Sequence, residues 1–211
     1  MRSARIRQPA VLLIGPTGSG KTPLGDWLES HGLWARRCHH FDFGENLRAV
    51  ASGHVEGFTP GEVLFVRDLI EKGGLLEDET FHLALRILES YRRDRRVRRD
   101  DLMIMNGLPR HVGQAEGLAP LLRFAAIIDL RCDAETVCER LQRNTGGDRA
   151  SRPDDSIALV RRKLAVFADR TKPLLAWYEH QGVTLVPVSV GVSTLPGEMV
   201  EFLEQKPPSQ L

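Results

Sequence analysis

The stretch that decides the fold is AVLLIGPTGSGKT, Ala10–Thr22. Its opening, AVLLIG (Ala10–Gly15), is a short unbroken apolar run, the pattern of a strand buried on both faces of a parallel sheet. GPTGSGKT (Gly15–Thr22) then satisfies G-x-x-x-x-G-K-[ST] in full. Gly15, Gly18 and Gly20, with Ser19 between them, let the backbone wrap with its N–H groups inward, and the helix that follows adds the positive end of its dipole. Lys21 supplies a point charge to β- and γ-phosphates, and the Thr22 hydroxyl suits Mg²⁺. These six residues are the candidate triphosphate cradle. Pro23 falls in the first helical turn, where its missing N–H costs little.

Working outward, PLGDWLESHG reads as a helix with Leu24, Trp27 and Leu28 on one face, ending at Gly32. A strand is weakly signalled over Arg37–Phe41. A broken helical region follows, GENLRAVASG and PGEVLFVRDLIEKGG separated by HVEGFT, and then a long helix from about Asp78 to Arg95 with Phe81, Leu85, Leu88 and Tyr91 at helical spacing. The basic run RRDRRVRR (Arg92–Arg99) sits where a helix C-terminus favours positive charge. A third strand is expected over Leu102–Met105, a helix over Val112–Arg123, and a fourth strand in FAAIIDL. A helix in DAETVCERLQR comes next, with Asp133 as its N-cap. A loop, NTGGDRASRP, leads to a long helix over Asp154–Gln181, a fifth strand VTLVPV and a last helix near Thr194–Leu203. Strands alternating with helices predict an α/β fold: an open parallel five-stranded sheet between helical layers, in one domain. The tail from residue 206 to 211 is expected to be disordered.

With 211 residues, 42% of them hydrophobic, the chain is long enough for one sizeable core. A net charge of +1 calls for neither nucleic acid nor a membrane surface. No apolar run reaches the roughly 20 residues a spanning helix needs, so a cytoplasmic protein is expected. Cys38, Cys132 and Cys138 show no zinc spacing and read as buried reduced thiols. His39 and His40 read as structural.

Seven pieces occur in a specific order: GPTGSGKT, HFDFGENLRAVASG, LIEKGGLLEDET, NGLPRHVGQAEGL, CERLQRN, RPDD and RRKLAVFADRTKPLLAWYEHQG. In content and spacing the chain resembles adenylate kinase and the related nucleoside monophosphate kinases, over nearly its whole length, in the short-lid form. The resemblance implies a core (8–42, 75–143 and 154–205) that binds ATP with Mg²⁺. It also implies a helical acceptor lobe (43–74) for a nucleoside monophosphate, AMP by default, a short lid (144–153), and a monomer. Residue by residue, it places Arg48 and Arg110 on the acceptor's phosphate, Gln114 and the backbone at Leu75 and Leu76 on its base, and Arg143 and Arg152, with Lys21, on the transferring group. A further arginine of the family aligns with Lys163, with Arg162 beside it. Asp154 and Asp155 either pair with lid arginines or only start the next helix.

The pattern breaks in three places. Asn106 stands where the family has the aspartate of Asp-Gly-x-Pro-Arg, which helps to hold Mg²⁺. Its amide can meet a metal-bound water but brings no charge, so weaker metal affinity or slower turnover is expected, not loss of nucleotide binding, and a rise in turnover on Asn106→Asp would mark a working but metal-impaired kinase. Phe43 replaces a small residue against the acceptor's base, where a ring could stack on a base or fill its pocket. Thr22-Pro23 replaces Gly-Thr. Three readings follow: an active nucleoside monophosphate kinase, a nucleotide-binding relative with little catalysis, and a P-loop kinase of a small metabolite.

Overall fold

A computed structural model describes residues 7–147 and 157–208. Five strands form one parallel sheet: β1 (Gln8–Ile14), β2 (Cys38–Asp42), β3 (Leu102–Asn106), β4 (Leu122–Arg131) and β5 (Thr184–Ser189), in the order β2-β3-β1-β4-β5. β1 is central and every one of its residues is buried. Because β1 is flanked by β3 and β4, its C-terminal end is the point where the connections depart to opposite sides of the sheet. An open α/β sheet forms its crevice there. The core lies on both faces. Leu12, Phe41, Met105 and Ile127 pack on one side, and Val11, Leu13, Ile104 and Ile128 on the other.

The helices are α1 (Lys21–His31), α2 (Phe43–Ala51), α3 (Pro60–Glu71), α4 (Phe81–Asp94), α5 (Val112–Leu118), α6 (Ala134–Arg143), α7 (Ile157–Val166), α8 (Leu174–His180) and α9 (Pro196–Glu204). Their starts follow local chemistry. Asp42 caps α2, Asp133 caps α6, and Thr59 and Glu62 close a capping box on α3 with Pro60 in its first turn. Arg86 of α4 reaches Glu62 and the Gly57 carbonyl and lies over Phe58, pinning the start of α3 to the core.

Several boundaries differ from expectation. α5 stops at Leu118, because β4 already begins at Leu122 to reach its register beside Gln8. The long C-terminal helix is divided by a π-turn over Phe167–Thr171, where Lys172 N donates five residues back to Phe167 O. Pro173 just beyond it has no N–H to continue the ladder. Trp27 is 39% exposed and stacks on His31, while only Leu24 and Leu28 of that trio enter the core. Residues 205–208 are not a free tail: Lys206 lies over Phe202 and Pro208 is buried. Of the cysteines only Cys38 is buried, and Cys138 is exposed. No described helix is long and apolar enough to cross a membrane.

Candidate active site

The C-terminal ends of β1, β2 and β3 open into one cavity, bounded on its far side by α2, the 74–76 loop and the π-turn. Gly20 turns the chain from the phosphate loop into α1 at φ 91°, ψ 20°, a left-handed conformation that favours glycine. Lys21 folds back, its Nζ donating to the carbonyls of Gly15 (2.8 Å) and Pro16 (2.7 Å). Ser19 is fully buried inside the loop, and its hydroxyl has no partner among the described residues.

Arg48 from α2 and Arg110 from the turn after β3 line the cavity opposite Lys21. Neither guanidinium makes a hydrogen bond or ion pair among the described residues. Arg110 is half-buried, and desolvation alone pulls it down to about 10. A half-buried cation with no acceptor is an unfavourable arrangement until an anion arrives. Two such cations facing a phosphate loop across one cavity suit a second phosphate.

The base-reading set is placed differently. Gln114 is 1% exposed and spanned at both ends: its Oε1 accepts the Arg110 N–H (2.7 Å) and its Nε2 donates to the Leu76 carbonyl (2.8 Å). It ties the turn carrying Arg110 to the loop of Leu75 and Leu76, so here it braces the site. The Leu76 carbonyl also meets His111 Nε2 at 3.1 Å. Phe43 is 4% exposed, packs at 6.0 Å from Phe41 and also lines the cavity. The π-turn adds Phe167 and Thr171 to the wall, below Lys163 of α7. Lys163 lines the cavity, whereas Arg162 is exposed with its stem near Gly73.

The structure does not bring Arg143 into the cavity lining: it is exposed and pairs with Glu139 one turn earlier (2.7 Å). The arginine of α6 that enters the site is Arg140, 4% exposed and missed in the sequence, where nothing distinguishes it from its many neighbours. Its Nε donates to Gly18 O (3.0 Å), and its Nη1 to Gly191 O (2.7 Å), Val192 O (3.1 Å) and Thr194 O (3.1 Å), clamping the phosphate loop to the loop after β5. Glu139 and Arg143 are i, i+4 neighbours on one face, whereas Arg140 is turned about 100° from Glu139. Arg152, Asp154 and Asp155 lie outside the described residues.

The second residue missed is Asp42, at the tip of β2, in the weakly signalled strand. Its Oδ2 accepts from the Thr22 hydroxyl (2.7 Å) and from Asn106 Nδ2 (3.0 Å). No cluster of three or more His, Cys, Asp or Glu suited to a metal occurs among the described residues. One hydroxyl and one carboxylate beside a phosphate cradle do fit Mg²⁺, a hard cation that keeps several waters and leans on the substrate's phosphates. They do not fit a metal held by protein alone.

Comparison with protein-family models finds none that matches the chain. Curated relatives do match. An adenylate kinase of Synechococcus sp. (strain CC9311) is 31% identical over 180 residues, 82% of this chain and 86% of its own. An adenylate kinase of Xanthomonas oryzae pv. oryzae (strain MAFF 311018) is 31% identical over 185 residues, with the same shares covered. Among solved structures, a gluconokinase from Sinorhizobium meliloti 1021 aligns at a TM-score of 0.49 and 14% identity over 96% of this chain and 92% of its own. Similarity at this level, across most of both chains, makes this protein a divergent member of the adenylate kinase family of P-loop phosphotransferases.

Proposed function

We propose that the chain transfers the terminal phosphoryl group of ATP to a nucleoside monophosphate, in a Mg²⁺-dependent reaction, with AMP as the default acceptor. The observation that carries this reading is the pair of guanidiniums, Arg48 and Arg110, that line one cavity with the Lys21 phosphate loop and make no hydrogen bond or ion pair among the described residues. A kinase that hands a phosphoryl group to another phosphate needs anion sites on both sides of the transfer. A kinase of a neutral hydroxyl acceptor has no use for the second.

In this reading the backbone of Gly15–Thr22 cradles the triphosphate, and Lys21 leaves the Gly15 and Pro16 carbonyls for its β- and γ-oxygens. Thr22 would help to hold Mg²⁺, which would supply neutralisation of the phosphate charge. Arg48 and Arg110 hold the acceptor's phosphate, bidentately where geometry allows, and so set the line of attack. Phosphoryl transfer spreads charge over equatorial oxygens and needs little covalent chemistry, so cations placed in advance are the main catalytic device. An ionised acceptor phosphate needs no strong base. The acceptor lobe (43–74) and the lid (144–153), with Arg152, act as the closing parts that exclude water.

A coupled assay of ADP production over a panel of nucleoside monophosphates and small hydroxylated metabolites tests this. Turnover with at least one monophosphate is expected, and Lys21→Ala is expected to reduce it by about a thousandfold or more. Nucleotide binding with no turnover on any monophosphate would leave a binding protein, and turnover confined to metabolites would leave a metabolite kinase.

A further inference from the structure

Beside Asn106, one strand away, stands an acid. β2 and β3 pair in parallel with Asp42 opposite Asn106, so the two strand tips present neighbouring side chains to the same Thr22 hydroxyl. Asn106 Nδ2 lies 3.0 Å from Asp42 Oδ2, 3.1 Å from Thr22 Oγ1 and 3.3 Å from His40 Nε2. All three are acceptors for an amide N–H. Turning the amide round would set its oxygen against the Asp42 carboxylate, so Asp42 dictates which way Asn106 faces. His40 supports the arrangement from behind: its Nδ1–H donates to Asp26 Oδ1 (2.8 Å), which leaves Nε2 as an acceptor for Asn106.

An aspartate at 106 would instead place a second carboxylate oxygen about as far from Asp42 as the amide nitrogen is now, with no proton between them. Two carboxylates sharing a site cannot both ionise readily. One acid and one amide is therefore the stable combination at these two tips, and this chain carries the acid on β2.

Asp42 also orders the hydroxyl beside it. Thr22 gives its proton to Asp42 Oδ2 and receives an N–H from Asn106, so the hydroxyl's orientation is set by the two strand tips. The two oxygens of Asp42 divide the work. Oδ1 accepts the Glu45 N–H (3.0 Å) and caps α2, while Oδ2 faces the phosphate loop.

We propose that Asp42 is the carboxylate that anchors the nucleotide-bound divalent cation in this protein, with Asn106 as its positioning partner: the metal-organising charge has moved from the tip of β3 to the tip of β2. The inference rests on the kinase reading above. Asp42→Asn tests it, because asparagine caps a helix as well as aspartate and keeps an acceptor oxygen, but removes the charge. The probe is Mn²⁺, titrated into the full chain with ADP and followed by the electron paramagnetic resonance of free Mn²⁺, beside calorimetric ADP affinity in EDTA and a thermal melt.

Asp42→Asn is expected to weaken Mn²⁺ binding by about 10–100-fold, with metal-free ADP affinity held or tightened and the melting temperature little changed. The exchange Asp42→Asn with Asn106→Asp is expected to restore the Mn²⁺ affinity. Unchanged Mn²⁺ affinity in Asp42→Asn overturns the proposal while leaving the kinase reading intact. An exchange variant no better than Asp42→Asn overturns the claim that the two tips are equivalent. A parent chain that binds no ADP defeats both readings.

Discussion

Arg110 shows what the site asks of a single residue. Its guanidinium is held half-buried with no counter-charge among the described residues, and desolvation lowers it to about 10. Between that value and the ordinary arginine range the unfolded chain holds more protons than the folded one, so at neutral pH the charged group opposes folding. Arg110→Met removes the charge and keeps much of the stem. Expected is a melting temperature of the ligand-free protein higher by roughly 2–4 °C, together with turnover lower by about a thousandfold or more. Thermal melts and the coupled assay on the same preparation check both, and a variant that is less stable as well as inactive would mean that Arg110 mainly packs. The sign separates a functional cation from a structural one, since structural arginines such as Arg140 have their acceptors in place.

At the scale of elements, the contact between α1 and β2 is as decisive as any catalytic group. Gly25 lies where α1 crosses His40: a Cβ there would fall 2.3 Å from the imidazole ring. The ring cannot easily retreat, because Asp26 holds one nitrogen and Asn106 meets the other. Gly25→Ala forces either α1 or His40 to move and is expected to cost about 1–3 kcal/mol by overpacking. Urea unfolding measures it, and an unchanged midpoint would show that the ring moves freely. The same contact links the phosphate-loop helix to the strand tip that carries Asp42, so the substitution is expected to weaken ADP binding as well. α6 teaches a related lesson. A one-turn pair, Glu139 with Arg143, solvates the outer face, and this leaves Arg140 to seal the inner one.

For the molecule as a whole, three carboxylates join distant parts of the chain and carry depressed pKa values. For Asp101, burial works upward, but the Arg98 N–H and His39 outweigh it, joining the start of β2 to the start of β3. Arg170 lowers Glu77 through two hydrogen bonds, of 3.1 and 2.8 Å, that tie the π-turn to the 74–77 loop. The Thr59 N–H and then Arg86 lower Glu62 to about 2. Each folded value lies below the unfolded one, so each contribution is complete above the ordinary carboxylate range, about 4, and is lost as pH falls through the folded values. Melting temperature is expected to stay level between about pH 7 and pH 5 and to fall steadily below about pH 4. A series of melts in matched ionic strength checks this, and a level curve down to about pH 3 would show that these contacts hold the fold weakly.

The sequence by itself determined the phosphate loop, the alternation of strands and helices, the Asp133 cap of α6 and the family pattern. All of these are read within a few residues or as an order of short motifs, and local backbone chemistry suffices for them. It also pointed to Arg48, Arg110 and Lys163, which the fold does bring to one cavity. Only the tertiary structure decided which neighbours those residues have. Asp42 and Asn106 are 64 positions apart and meet because β2 and β3 pair in parallel, in a register set by the burial of two whole strands. The break at Asn106 therefore reads as a deficit along the chain and as an exchange across the sheet. Choosing Arg140 over Arg143, or bracing over base-reading for Gln114, depends on helix rotation and on which acceptors lie within about 3 Å, and no spacing along a chain carries that information.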